Sequence, residues 1–238
     1  MEYAIIIPAR FASKRLPGKP LLLIKGVPML IRTYKQCKKV KEKINIYVAT
    51  DSLKIKNECM KHNIPVIMTS KKCLTGTDRV AEASNKIKEK YIVNVQGDEP
   101  LINPEDISAV IREHKNNKKL VVNGYAEIRN INLFKSINIP KVVFDKRNML
   151  LYMSRSSIPA NKKRTMKNAF RQICIYCYSK NELKKFASYK KKSPLEKIED
   201  IEILRFLEIG SQVKMLRLSN RSISVDIKAD IKKVEKRL

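Results

Sequence analysis

The sequence predicts an α/β fold, a mainly parallel central sheet flanked by helices. Three observations predict it. Short apolar runs alternate with segments of helical spacing through the first half of the chain. Those runs are rich in Ile and Val and lack a polar alternate position, as strands buried on both faces do. The 238 residues are 43% hydrophobic, enough for one large domain with a sizeable core. No internal repeat or long linker divides the chain. Residues 1–238 therefore read as a single domain, with a strand-rich subregion at about 120–190.

The elements follow in order. Tyr3 to Pro8 is a short apolar run that ends at a proline and reads as a buried strand. Pro28 to Lys39 places Met29, Leu30, Tyr34 and Cys37 at helical spacing, with the proline near its start. Asn45 to Ala49 is a strand, and Asp51-Ser52 caps the helix after it. Pro65 to Met68 is a third strand. Asp78 to Lys88 is a helix whose inner face is Val80, Ala81, Ala83, Ser84 and Ile87. Tyr91 to Val95 is a fourth strand, and a helix runs from about Pro104 to His114. In the second half, 120–128, 141–144, 172–178 and 213–218 read as strands. Residues 194–207 and 227–238 read as helices, and 161–168 as a flexible loop.

Composition excludes several classes. No apolar run approaches the roughly 18 residues of a membrane span. The N-terminal residues show no basic region or small-residue cleavage site, so no secretory leader is expected. The five cysteines are odd in number, and only Cys174 and Cys177 form a C-x-x-C pair, with no second pair or histidine beside it. A zinc or redox site is not expected, and a reducing cytoplasm fits. The net charge of +28 first suggests nucleic acid. The chain, however, holds 37 Lys, 29 Ile and 17 Asn, the residues of AT-rich codons, and its basic residues are dispersed. There is no Trp for a single-strand stacking platform. A specific nucleic-acid partner is therefore not expected.

In an open α/β sheet, ligands bind beyond the carboxyl ends of the strands. After the first strand comes PARFASKRLPGKP, residues 8–20. There Arg10, Arg15 and Lys19 suit a polyphosphate, arginine by forked hydrogen bonds and lysine as a point charge. A solvated basic loop is the alternative. After the fourth strand comes Gln96-Gly97-Asp98-Glu99-Pro100, whose adjacent carboxylates suit a hard cation such as Mg²⁺. An acid-capped turn is the alternative there. Thr75-Gly76-Thr77-Asp78-Arg79 opens a helix, and Thr77 or Asp78 can serve simply as its N-cap. Asp226, before the last helix, is open to the same plain reading.

Together these segments resemble the 3-deoxy-manno-octulosonate cytidylyltransferase (CMP-Kdo synthetase) family. The resemblance runs nearly end to end. It rests on IIIPARFASKRLPGKPL (5–21), VATDS (48–52), TGTDRVAEA (75–83), VNVQGDEPLI (93–102), KVVFD (141–145), YMSRSSIP (152–159), ICIYCYSK (173–180), SPLEKIEDIEILR (193–205) and VDIKADIKKV (225–234). It implies a Rossmann-like nucleotide-diphospho-sugar transferase fold with a small strand-rich dimerisation subregion, a cytoplasmic homodimer and a Mg²⁺ cofactor. It also implies transfer of CMP from CTP to the anomeric hydroxyl of an eight-carbon sugar acid, Kdo, for lipopolysaccharide synthesis. Carried over, Arg10, Arg15 and Lys19 hold the CTP phosphates and, with Asp98, are catalytic. Thr75, Thr77 and Arg79 lie near the nucleotide. Asp98 and Asp226 bind Mg²⁺. Gln96, Arg155, Gln172, Tyr176 and Glu202 line the sugar pocket.

The chain departs from the family pattern in three places, one of them Ile227-Lys228, where the family has Thr-Pro after the second metal-binding Asp. Gln172, Cys174 and Cys177 stand where the family has histidine and glycines, and Asn220-Arg221-Ser222-Ile223-Ser224 replaces a glycine-rich turn before Asp226. These departures keep a related sugar acid open, such as the 8-amino analogue or a nonulosonic acid. The different-class alternative is a nucleic-acid-binding or scaffold protein with weakened catalysis.

Overall fold

The structure is a computed structural model that describes residues 1–12, 16–163 and 165–238. Its elements begin with β1 (Tyr3–Ala9), a one-turn 3-10 helix (Lys19–Leu21), β2 (Leu23–Ile24), β3 (Val27–Pro28), α1 (Met29–Cys37), β4 (Asn45–Thr50), α2 (Leu53–Lys61) and β5 (Val66–Met68). Next come α3 (Gly76–Ser84), β6 (Tyr91–Val95), α4 (Pro104–Asn116), β7 (Val121–Glu127), α5 (Ile131–Lys135), β8 (Lys141–Phe144) and β9 (Leu150–Ser154). The chain closes with β10 (Phe170–Ser179), α6 (Lys180–Ser188), α7 (Pro194–Glu199), α8 (Ile203–Glu208), β11 (Val213–Arg217) and α9 (Lys228–Glu235).

The main path through the sheet is β11-β7-β10-β6-β1-β4-β5. Only β10 on this path runs against its neighbours, β6 and β7. The pairs β1–β4, β1–β6, β4–β5 and β7–β11 are all parallel. Every residue of β1 is buried, as the unbroken apolar run predicts for a central parallel strand. Its side chains alternate between two cores. Tyr3, Ile5 and Ile7 join Leu30, Ile55 and Ile107, from α1, α2 and α4. Ala4 and Ile6 join Val80, Leu183 and Phe206, from α3, α6 and α8. Helices thus cover both faces, as expected. No helix among the described residues is long and apolar enough to cross a membrane.

The expected strand-rich subregion, about 120–190, holds β7, β8, β9 and β10. β7 and β10 lie within the main sheet, and only β8 and β9 leave it as an antiparallel extension. The predicted helix 194–207 is two helices, because Asp200 takes a left-handed conformation (φ 51°) and turns the chain between α7 and α8. Helices α5 and α6 and strand β9 fall where no element was expected. The described part of 161–168 forms neither helix nor strand. A third, small core joins Leu16, Ile24 and Met29 to Val225 and Val234. It seats the last helix, α9, against the loop that follows β1.

Candidate active site

The loops after β1 and β6 meet the segment before α9 at the carboxyl ends of the parallel strands. Gly18 adopts φ 67° at the head of the 3-10 turn, and its N–H donates to the Phe11 carbonyl at 3.1 Å. Glycine has no Cβ to oppose this conformation. The turn is then held by Lys19 N–H to Leu16 O and Leu21 N–H to Gly18 O, with Pro20 buried. This aims the Lys19 ammonium at Asp98 Oδ2, 2.6 Å away, and at Asp226 Oδ1, 3.4 Å away. Burial works against the charge on Lys19, but Asp98 and then Asp226 outweigh it and hold the ammonium above its ordinary pKa.

Two packing details bring the carboxylates together. A Cβ on Gly97 would lie 3.0 Å from the Pro8 carbonyl oxygen, so glycine lets the loop after β6 pass close to the end of β1. The close approach is therefore to the protein's own backbone. Asp226 is not the cap of α9. Ile227 stands at the N-cap, and Asp230 in the first turn reaches back, its Oδ2 accepting from the N–H groups of Asp226 and Ile227 at 3.1 Å each. The Asp226 side chain is left for Lys19 and its other contacts.

A second cluster holds residues 75–79. Thr75, not Thr77 or Asp78, is the N-cap of α3, accepting from Asp78 N–H at 3.2 Å and donating to Asp78 Oδ2 at 2.7 Å. The Glu202 carboxylate adds two more caps, accepting from Gly76 N–H (3.0 Å) and Thr77 N–H (2.7 Å). Burial raises its pKa, while these bonds oppose the rise. A Cβ on Gly76 would stand 3.2 Å from the Gln96 amide and 3.4 Å from Glu202, so Gln96, Gly76 and Glu202 converge. The guanidinium of Arg79 turns inward to Thr69 Oγ1 (2.5 Å) and Asp51 Oδ2 (3.0 Å), bracing the loops after β4 and β5.

The remaining predicted residues divide. Gln172 and Tyr176 are both buried on β10 and joined at 3.1 Å. Asn123 fixes the orientation of the Gln172 amide. Its own Nδ2 donates to Ile173 O and Ile175 O, so its Oδ1 accepts from Gln172 Nε2 at 3.0 Å. Burial holds the Tyr176 phenol far above its usual range. Arg10 is exposed at the end of β1. Arg15 lies outside the described residues. Arg155 is tied to three carbonyls, Glu199 O (2.5 Å), Ile137 O (2.9 Å) and Asp200 O (2.9 Å), bracing β9 against α7.

Cys174 and Cys177 pack into opposite cores, three residues apart on one strand, so the C-x-x-C pair does not converge. Neither histidine approaches the cleft. His62 ends α2, and His114 bonds Tyr3 at the start of β1.

The chemistry of the donor set fits a hard divalent cation. Asp98 and Asp226 offer carboxylate oxygens, keep side-chain exposures of 25% and 22%, and already hold one cation, the lysine ammonium, between them. No group of three or more His, Cys, Asp or Glu gathers among the described residues. Two carboxylates completed by waters and phosphate oxygens is a Mg²⁺ pattern.

Sequence reasoning read Glu99 with Asp98 as adjacent carboxylates for a cation and missed Ser222; the structure sets both behind the Asp98–Asp226 pair. Glu99 is buried, and burial, reinforced by the Asp98 charge, raises its pKa to about 7. It accepts a short hydrogen bond from the Ser222 hydroxyl. The sequence shows Glu99 only as a second acid in the same turn, with nothing to mark it as buried.

Comparison with known proteins decides the family. The cytidylyltransferase family matches residues 4–220. The chain belongs to this family. A cytidylyltransferase of *Shewanella baltica*, named for 8-amino-3,8-dideoxy-manno-octulosonate, is 36% identical over 247 residues, covering 100% of this chain and 99% of its own. The counterpart in *Shewanella oneidensis* gives the same identity and coverage. Among solved structures, CMP:2-keto-3-deoxy-manno-octonic acid synthetase complexed with CTP matches at a TM-score of 0.91 and 30% identity, over 100% of this chain and 98% of that one. A cytidylyltransferase from *Leptospira borgpetersenii*, 18% identical with a TM-score of 0.66, shares the fold.

Proposed function

We propose that this cytidylyltransferase transfers CMP from CTP to the anomeric hydroxyl of 8-amino-3,8-dideoxy-manno-octulosonate, releasing pyrophosphate. The observation that carries the reading is the convergence of Lys19, Asp98 and Asp226 at the carboxyl ends of β1 and β6. The choice of sugar acid rests on the end-to-end relatives named for it. The sequence-based expectation preferred Kdo and kept the 8-amino analogue as its alternative, and the relatives favour that alternative.

In this reading Arg10, Lys19 and the undescribed Arg15 bind the triphosphate of CTP. Asp98 and Asp226 hold Mg²⁺, which when bound neutralises charge gathering on the departing pyrophosphate. Lys19 faces both carboxylates, and its flexible stem lets the ammonium reach phosphate oxygens placed beside them. Such charge placed before the reaction begins lowers the barrier without reorganisation. The start of α3, residues 75–79, capped by Glu202 and braced by Arg79, forms a rigid wall for the nucleotide. Gln96, Gln172 and Tyr176 provide fixed polar groups for the sugar. Neither histidine takes the hydroxyl proton, because both lie away from the cleft.

The test is a competition assay. The purified protein is incubated with CTP, Mg²⁺ and equal amounts of Kdo and the 8-amino sugar acid, and products are resolved by mass. The CMP-8-amino sugar is expected to dominate. Dominant CMP-Kdo would reverse the choice of sugar, and absence of any CMP-sugar would overturn the reading.

A further inference from the structure

The segment 219–225 carries no glycine, yet it delivers Asp226 to a defined place beside Asp98. None of its residues takes a positive φ, so the missing glycines cost no backbone strain. Side chains hold it instead. Ser219 donates through N–H and Oγ to Asp106 at 3.0 and 2.6 Å. Arg171 donates to Asn220 Oδ1 from Nε (3.0 Å) and Nη2 (2.7 Å), and to the Ser222 carbonyl at 3.0 Å. The Ser222 hydroxyl bonds Glu99, and the Val225 N–H donates to the Asp98 carbonyl at 3.0 Å. The last two contacts join the residue after Asp98 and Asp98 itself to the segment just before Asp226. Ser222 and Glu99 are both 2% exposed, so water does not compete for their bond.

We propose that Ser222 is a positioning residue: through Glu99, and supported by Arg171, it sets the spacing of Asp98 and Asp226 and so the affinity of the pair for a divalent cation. The inference rests on the reading of those two carboxylates as cation ligands. Removing the hydroxyl leaves Glu99 without its partner and frees the middle of the segment, while Val225 stays in its core. The pair then loosens without the fold being lost.

The experiment measures Mn²⁺ binding by electron paramagnetic resonance in the presence of CTP, for the unchanged chain, Ser222→Ala and Asp226→Asn. Ser222→Ala is expected to bind Mn²⁺ roughly tenfold more weakly, the lower end of what groups orienting metal ligands contribute. Its kcat should return close to that of the unchanged chain at saturating Mg²⁺. Arg171→Lys keeps the charge but loses the fork to Asn220. It should shift Mn²⁺ affinity the same way and decides the matter if Ser222→Ala fails to fold. Unchanged Mn²⁺ affinity in folded Ser222→Ala, or in Arg171→Lys, overturns the role of Ser222 and leaves the ligand reading standing. Mn²⁺ binding that survives undiminished in Asp226→Asn, or is absent from the unchanged chain, overturns both.

Discussion

Two groups of charges in this protein share one formula, a cation between two carboxylates, in different surroundings. In the first, Arg205 is fully buried. It forks onto Glu196 at 2.7 and 2.7 Å, reaches Asp78 at 2.8 and 3.3 Å, and lies 3.8 Å over the Phe186 ring. In the second, Lys19 meets Asp98 and Asp226 at unequal distances, and both acids keep contact with solvent. Arginine's planar fork meets both acids at once, and Arg205 and Glu196 are shut off from water while the Asp78 side chain keeps 12% exposure. A lysine ammonium is a point charge on a flexible stem and exchanges partners readily. The first arrangement ties α8 to α3 and has no coordination to spare. The second is open to a ligand. Charge count does not separate structure from chemistry here; the geometry of the cation and access of solvent do.

Breaking the buried cluster should have the largest effect on stability. Arg205→Met leaves Asp78 and Glu196 facing each other without a counter-charge, and should cost about 3–5 kcal/mol in urea unfolding. A loss below about 1 kcal/mol, the range of an exposed pair, would erase the contrast between the two clusters.

A buried group with an unused polar atom sharpens the comparison further. His114 is buried, accepts or donates at Nδ1 with the Tyr3 hydroxyl, and its Nε2 has no hydrogen-bond partner among the described residues. Burial, helped by the Lys118 charge, lowers its pKa to about 4 from 6.5. Above pH 6.5 the imidazole is neutral in both folded and unfolded chains. As pH falls from 6.5 towards 4, the unfolded chain takes up a proton that the folded chain refuses, so stability falls, by about 3 kcal/mol in all. His114→Gln should flatten this part of the stability curve, measured as urea midpoints at pH 7 and pH 4.5. Curves that stay parallel would show that His114 is protonated as easily when folded.

The first half of the fold was legible because each strand there is a continuous apolar run and each helix has a signal at its start. Tyr91–Val95 matches the expected bounds, and Ser52 caps α2 as read. The second half mixes short elements whose pattern does not decide them. Leu150–Ser154 alternates poorly because Leu151 is exposed beside half-buried Tyr152. Helix α6 had a readable start, Ser179 followed three residues later by Glu182, whose N–H the serine hydroxyl accepts. Its charged sequence hid the two apolar residues, Leu183 and Phe186, that it buries together with Glu182. The break at Asp200 had no glycine to announce it.

The candidate site was legible to a similar degree. Lys19, Asp98 and Asp226 do converge, although 207 residues separate the first from the last. What stayed hidden were the groups that hold them. Ser222 and Arg171 have no spacing signature, and Glu99 was legible only as a carboxylate beside Asp98, because their contacts cross between segments far apart in the chain. The resemblance implied Arg79 beside the nucleotide and Arg155 and Glu202 in the sugar pocket, and the structure engages them with Asp51, backbone carbonyls and the α3 N-terminus, respectively.

The contrast between the two clusters is tested most directly by Asp98→Asn, with turnover of CTP and the sugar acid measured at saturating Mg²⁺ and thermal unfolding followed on the same sample. The account predicts that turnover falls by roughly a thousandfold, as loss of several kcal/mol of charge stabilisation requires, with the unfolding midpoint little changed. Near-normal turnover, or a loss of turnover that follows unfolding, would contradict it.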